Sequence, residues 1–281
     1  MLRKPDWIKK KIFDHNSENH IKKIIKENNL STVCSEAGCP NLCECFKSGT
    51  ATFLLLGNVC TRNCVFCNIS HNEGDLKLDI DEPARILKAV IKMNLKFVVL
   101  TCVTRDDLED GGASIIIETV ELIKQYDKGI DVEVLVSDFN GNYSSIDRVL
   151  NSNISVFNHN LETIEDLYNI IRPMASYSRS LNILKYAKKN GNVPVKTGIM
   201  VGLGEKAEQV NKLMKDFAEI GGDILTIGQY LQPGRNFYPV REYITPHQFD
   251  EYKKTGESYG IKTVFSGPFV RSSYHAEILH K

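Results

Sequence analysis

Cys60, Cys64 and Cys67 stand at the spacing C-x3-C-x2-C, shortly after an apolar run, Thr52–Leu56. Three closely spaced thiolates can ligate three irons of a [4Fe–4S] cluster, and no fourth cysteine follows at short range. One iron then stays open for a substrate or cofactor, and an open metal position implies catalysis rather than structural stapling. The competing reading of the same thiols is a zinc knot. Zinc prefers four closed tetrahedral ligands, commonly supplied as two C-x2-C-like pairs, whereas this chain offers a triplet at a strand end.

Such a loop needs a rigid frame. Short β-branched or apolar runs recur at Thr52–Leu56, Phe97–Thr101, Val132–Val136, Ile154–Phe157, Val195–Met200, Ile224–Ile227 and Thr263–Phe265. Helical stretches alternate with them at Glu82–Met93, Ser114–Gln125, Leu161–Ile170, Tyr177–Lys189 and Glu205–Ile220. Parallel neighbours need a helical crossover, so this alternation predicts an α/β fold with a parallel sheet, best read as a full or partial (β/α) barrel. In such barrels the chemistry sits at the C-terminal ends of the strands, where the C-x3-C-x2-C loop falls. Ahead of the barrel, an amphipathic helix is expected at Ser17–Asn28, with Ile21, Ile24 and Ile25 on one face, followed by a cysteine-rich loop.

Composition narrows the setting. With 281 residues and 42% hydrophobic content the chain can bury a core. Lys+Arg and Asp+Glu both count 35, so the summed charge gives no reason to expect a nucleic-acid or anionic-membrane partner. The basic start, Met1–Lys11, leads into Ile12-Phe13-Asp14-His15-Asn16 rather than an apolar signal core, and no run approaches the ~20 apolar residues of a membrane span. A cytoplasmic protein is expected. Seven of the eight cysteines fall between Cys34 and Cys67, and in a reducing compartment such clustering favours metal binding over disulfides.

C-x3-C-x2-C with an aromatic residue, Phe66, before the last cysteine resembles the radical S-adenosylmethionine superfamily. The resemblance implies that the open iron is chelated by the amino and carboxylate groups of S-adenosylmethionine. One electron then cleaves the sulfonium to a 5′-deoxyadenosyl radical, which removes hydrogen from an unactivated carbon.

Upstream, Cys34, Cys39 and Cys45 form a second triplet, C-x4-C-x5-C, some fifteen residues before the first. Together with Gly38-Cys39-Pro40-Asn41, Phe157–Thr163, Lys196–Glu205, Ile227–Pro233 and Arg271-Ser272-Ser273-Tyr274-His275-Ala276, it makes the chain similar to the lipoyl synthase family from about residue 33 to 277. That resemblance implies two [4Fe–4S] clusters, the auxiliary one held by Cys34, Cys39, Cys45 and the hydroxyl of Ser273. A hard alkoxide among soft thiolates should be displaced easily, which suits a cluster that gives up its sulfur. Taken alone, a single serine there reads as a cap or turn hydroxyl.

The reaction implied is insertion of two sulfur atoms at C6 and C8 of octanoyl-lysine on lipoyl-domain proteins. These include 2-oxoacid dehydrogenase acyltransferase subunits and the glycine cleavage H protein. Neither carbon has an acidic proton, so a radical route replaces acid–base chemistry. A ferredoxin or flavodoxin reductant and an iron–sulfur carrier protein are further expected partners. The division expected is an N-terminal extension over 1–48, a radical core over 49–264 and a C-terminal extension over 265–281. Another sulfur-inserting enzyme of the superfamily would lack the upstream triplet, and a non-catalytic iron–sulfur or zinc protein would not cleave S-adenosylmethionine.

Other polar residues carry alternatives. Asn158, Glu162, Arg172 and Lys196 are placed at strand ends or in the loops that follow. Their polarity suits S-adenosylmethionine, with a cation for the carboxylate and amide or carboxylate groups for ribose hydroxyls. Each also reads as a surface salt-bridge residue. Cys43 makes a rival triplet with Cys34 and Cys39 conceivable, and Cys102 reads as a small core residue. Thr101–Asp107 is either a catalytic-face loop or, with Asp106, Asp107 and Asp110, an N-cap cluster. Gly202-Leu203-Gly204 is weak as a phosphate loop and reads as a tight turn.

Overall fold

Strands whose outward positions are rich in Val, Ile and Leu must have that face covered, and in this chain helices cover it. The structure, a computed structural model, describes residues 2–9, 23–33, 41, 50–71, 76–274 and 276. Strands β1 (Ser31–Thr32), β2 (Thr50–Leu55), β3 (Val59–Cys60), β4 (Ser70–His71) and β5 (Phe97–Cys102) come first, then β6 (Asp131–Leu135) and β7 (Val156–Asn158). β8 (Val195–Val201), β9 (Ile224–Gln229) and β10 (Thr263–Gly267) complete the set. The sheet order is β1-β2-β5-β6-β7-β8-β9-β10, with β1 antiparallel to β2 and the remaining pairs parallel. The sheet curls without its edges pairing among the described residues, which makes it the partial barrel the alternation predicts.

Crossovers are made by α1 (Glu82–Lys92), α2 (Ala113–Tyr126), α3 (Tyr143–Leu150), α5 (Tyr177–Asn190), α6 (Ala207–Glu219) and α7 (Pro246–Ser258). A one-turn helix, α4 (Tyr168–Ile171), precedes α5. Two of these crossovers escape a search for apolar periodicity, although both carry capping signals. Asn142 accepts from Ser145 N–H at the start of α3, and Thr245 accepts from Gln248 N–H ahead of Pro246 at the start of α7.

The helix expected over Leu161–Ile170 does not form. Glu162 adopts φ +67°, donates its N–H to Gly198 O at 2.9 Å and accepts from Met200 N–H at 2.8 Å. The backbone there is bridged to β8, and helix resumes only after a 3-10 turn at Glu165–Leu167. Of the amphipathic N-terminal helix, residues 23–27 are helical with Ile24 and Ile25 buried; 17–22 lie outside the described residues.

The period of two sorts the faces of each strand. Val98, Leu100, Val132, Val134 and Phe157 pack in the main core with the helices. The alternate positions Glu133, Asn158, Lys196 and Thr226 are buried on the inner face, which is therefore polar. The C-terminal segment enters that interior: Ala276 packs against Phe97 and Val99, the inner residues of β5.

Candidate active site at the strand ends

After β2 the chain turns through two left-handed residues, Leu56 and Gly57. The carboxylate of Glu82 gathers their amides, accepting from Leu56 N–H at 2.7 Å and Gly57 N–H at 3.4 Å. A Cβ on Gly112, itself at φ +87°, would lie 2.2 Å from Leu56 Cδ1, so only glycine admits this turn against the start of α2. The turn delivers Cys60 into the short β3–β4 ribbon and begins the Cys60–Cys67 loop.

That loop is tied on three sides. Thr61 N–H donates to Thr104 O at 3.0 Å, Val65 N–H to Ile171 O at 3.1 Å, and Tyr238 N–H to Val65 O at 3.0 Å. Val65 and Phe66 pack against a satellite core of Ile171, Leu203, Tyr230 and Val240. Inside the loop, Arg62 gives two hydrogen bonds to Asp106, at 2.6 and 2.8 Å, and one to Asp138 at 2.6 Å. Asp138 accepts in turn from Arg179 Nε at 2.8 Å. Burial pushes the Asp138 carboxyl up, but the hydrogen bond and charge of Arg62 outweigh it and hold the carboxyl well below the ordinary range. Asp106 therefore belongs to the cluster loop and Asp107 pairs with Arg105; of the expected capping acids only Asp110 serves α2, accepting from Gly112 and Ser114 N–H.

Cys60, Cys64 and Cys67 are half-buried and not paired with one another in disulfides. Burial, with a smaller push from the Cys64 and Cys60 thiols, drives the Cys67 thiol up to about 12. Burial also raises Cys64, opposed by the neighbouring Arg172 guanidinium. Neighbouring thiols that resist ionisation together become thiolates when positive metal charge is present, and ligation releases their protons. The donor set fits a cluster, with one iron per sulfur, better than a single tetrahedral zinc.

Glu162 and Arg172 stand beside these thiols. Arg172 donates through Nη1 to Asn160 O at 3.0 Å and to Tyr168 Oη at 2.6 Å, and lies over the Tyr168 ring at 5.1 Å. Its Nε is buried without a partner, a donor left over for a ligand. Burial raises the Glu162 carboxyl, partly countered by Arg172 and by Asn160 Nδ2, which donates to Oε1 at 2.9 Å.

Asn158 and Lys196 are placed differently. Lys196 is the second residue of β8, not at its C-terminal end, and the expectation that it offers a cation at the strand ends is corrected here. Its Nζ donates to both oxygens of Glu133, at 3.0 and 2.8 Å, with the two side chains 0% and 1% exposed. The register of β6, β7 and β8 puts Asn158 beside this pair, and its Nδ2 donates to Glu133 Oε1 at 2.7 Å. Arg62, Asp138 and Glu133 were not given a role by sequence, and Asn160 entered only within the Phe157–Thr163 motif; Arg62, inside the cysteine motif, and Asn160 are the two that carry a local signal.

The loop Gly202-Leu203-Gly204 is a tight turn as expected. Its amides at Gly202 and Leu203 donate to the Glu205 carboxylate and are not available to a phosphate. Cys102 is a half-buried residue at the end of β5 whose thiol burial pushes up to about 12.

Cys34, Cys39, Cys43 and Cys45 lie outside the described residues. Between them, Asn41 is described and buried, and its Nδ2 donates to Phe269 O at 2.6 Å. Phe269 is four residues before Ser273. Ser273 sits in the turn 272–274, closed by Tyr274 N–H to Arg271 O at 3.0 Å, and its hydroxyl caps no helix among the described residues.

The Radical SAM superfamily profile matches residues 54–217. Over nearly its whole length the chain is similar to proteins named lipoyl synthase. It is 48% identical to that of Caldicellulosiruptor saccharolyticus over 98% of this chain and 96% of the relative. It is 47% identical to that of Chlorobium phaeobacteroides over 99% and 97%. Among solved structures, methylornithine synthase (PylB) superposes with TM-score 0.56 at 15% identity, covering 82% of this chain and 76% of that one. Streptococcus suis SuiB bound to S-adenosylmethionine gives TM-score 0.60 at 14% identity, over 90% and 61%. Likeness at that identity is one of fold.

Proposed function

The chain belongs to the lipoyl synthase family of the radical S-adenosylmethionine superfamily, and on that premise we propose which of its residues carry the reaction. It is an enzyme that inserts two sulfur atoms, at C6 and C8, into octanoyl chains on lysine of lipoyl-domain proteins. When bound, two [4Fe–4S] clusters and S-adenosylmethionine supply the electron, the hydrogen-abstracting radical and the sulfur.

Cys60, Cys64 and Cys67 would hold the radical-generating cluster, on a loop oriented by Arg62 through Asp106 and Asp138. Arg172 and Glu162 would bind charged and hydroxyl groups of S-adenosylmethionine, with Asn158 and the Lys196–Glu133 pair bracing the inner face behind them. Tyr230, Val240 and Phe66 keep water from the loop on its packed side. Cys34, Cys39, Cys45 and Ser273 would hold the auxiliary cluster. The observation that supports this reading is the 2.6 Å bond from Asn41 to Phe269: it joins a residue of the Gly38-Cys39-Pro40-Asn41 motif to the segment bearing Ser273.

The proposed division into 1–48, 49–264 and 265–281 follows the same logic, since the two extensions would share one cluster. The acyltransferase subunits and the H protein are the proposed lipoyl-domain substrates, ferredoxin or flavodoxin the reductant, and an iron–sulfur carrier the source of a new auxiliary cluster. No helix among the described residues is long and apolar enough to cross a membrane. A cytoplasmic setting is proposed from the clustering of seven cysteines between Cys34 and Cys67, which favours metal binding in a reducing compartment.

The test is anaerobic incubation with dithionite, S-adenosylmethionine and an octanoyl-lysyl peptide, read by mass spectrometry. Dithiolane product and 5′-deoxyadenosine are expected. Cleavage of S-adenosylmethionine without sulfur in the product would refute the assignment of the sulfur source.

A further inference from the structure

Ser272 precedes the proposed ligand Ser273, and its hydroxyl is fully used. It accepts from Asn158 Nδ2 at 3.0 Å and donates to Asn160 Oδ1 at 2.9 Å. Asn160 Nδ2 passes the chain on to Glu162 Oε1, while Asn158 Nδ2 also donates to Glu133 Oε1, the partner of Lys196. A continuous line of hydrogen bonds therefore runs from the inner-face ion pair, through the C-terminal segment, to the carboxylate beside Cys64. An atom that both accepts from one amide and donates to another must be a hydroxyl, so neither alanine nor an apolar residue replaces it.

The sheet is shaped to receive this segment. A Cβ on Gly228 of β9 would lie 2.1 Å from Val270 O, and a Cβ on Gly198 of β8 would lie 2.8 Å from Asn160 Oδ1. The missing side chain of Gly228 lets Val270 lie against β9, and that of Gly198 leaves room for Asn160, the acceptor of the Ser272 hydroxyl. Beyond the turn, the Tyr274 and Phe265 rings meet at 5.8 Å. By contrast Ser273, between these anchored residues, makes no hydrogen bond through its hydroxyl to any described residue.

We propose that Ser272 is a positioning residue, a latch that holds segment 268–274 on the strand ends so that Ser273 is presented to the auxiliary site. This rests on the reading above that Ser273 ligates the auxiliary cluster. The latch leaves that neighbouring hydroxyl uncommitted while fixing the backbone on either side of it. It also ties the auxiliary end of the site to Glu162, so that the two cofactor regions share one rigid element.

Two measurements test it without turnover. Hydrogen–deuterium exchange of peptides covering 268–274 is followed on the iron-free full-length chain. Iron release to a ferrous chelator is followed on a Cys60→Ala/Cys64→Ala/Cys67→Ala background, which after reconstitution loads only the auxiliary set. Ser272→Ala should speed exchange roughly tenfold, the loss of two hydrogen bonds, and speed iron release, with Ser272→Thr restoring both. Gly228→Ala, which unseats Val270 without touching the hydroxyl, should also speed exchange. Protected peptides and unchanged iron release in Ser272→Ala, or protected peptides in Gly228→Ala should Ser272→Ala not fold, overturn the latch. Ser273→Ala separates the two ideas. If it leaves iron release unchanged while Ser272→Ala still exposes the segment, the ligand reading fails and the latch stands.

Discussion

Arg62 and Asp138, 76 positions apart, meet through a 2.6 Å hydrogen bond with their side chains 3% and 0% exposed. The pair ties the middle of the cysteine loop to the end of β6, and Arg179 closes the other side of the carboxylate. A cation inside the cluster loop is thus neutralised by the barrel rather than by solvent.

Removing Asp138 leaves Arg62 paired with Asp106 alone. Asp138→Ala should cost about 1.5–3 kcal/mol of stability in urea unfolding of the iron-free chain, the range for losing a hydrogen bond between charged groups. Arg179→Ala acts at a partner that is 30% exposed and should cost less than ~1 kcal/mol. Equal losses in the two variants would mean that the Arg62–Asp138 pair does not carry the loop.

His159 gives the chain an acid-sensitive element. Its Nδ1 donates to Val136 O at 2.9 Å, Nε2 is buried without a partner, and burial, aided by the Arg172 charge, lowers the imidazole from 6.5 to about 4. The folded state thus stays neutral where the unfolded state binds a proton. Stability is therefore unaffected by this group above about 6.5 and falls as pH drops towards 4, by at most ~1.4 kcal/mol per unit. Urea midpoints of the iron-free chain at pH 7 and pH 5 measure it, and His159→Gln should flatten the difference. A slope that survives the substitution would assign the effect to another group.

Lys196 and Glu133 should behave as one unit. Either single change, Lys196→Met or Glu133→Leu, leaves a buried group mismatched, and Lys196→Met should cost about 3–5 kcal/mol. The double variant Lys196→Met/Glu133→Leu should lose less than Lys196→Met alone. Additive losses in this cycle would show that the pair is not coupled.

Cys43 and Cys45 are distinguished by iron content. After anaerobic reconstitution Cys43→Ala should retain two clusters and Cys45→Ala one. The opposite pattern moves the auxiliary triplet to Cys34, Cys39 and Cys43.

What the sequence determined by itself was local. The two cysteine spacings lie within a dozen residues each, and the alternation of apolar runs with helical periodicity sets a parallel α/β sheet without reference to distant contacts. Those features are enough for the superfamily and for the end of the barrel where chemistry occurs. Even there a local pattern misled once: Leu161–Ile170 has helical composition, yet two hydrogen bonds to β8 take Glu162 out of a helix. Tertiary structure alone decided the partners. Lys196 finds Glu133 at a separation of 63 residues, Ser272 finds Asn160 at 112, and Asn41 finds Phe269 at 228. The period of two says that a strand residue faces inward. Only strand order and register, fixed when the sheet assembles, say which inward residue stands beside it.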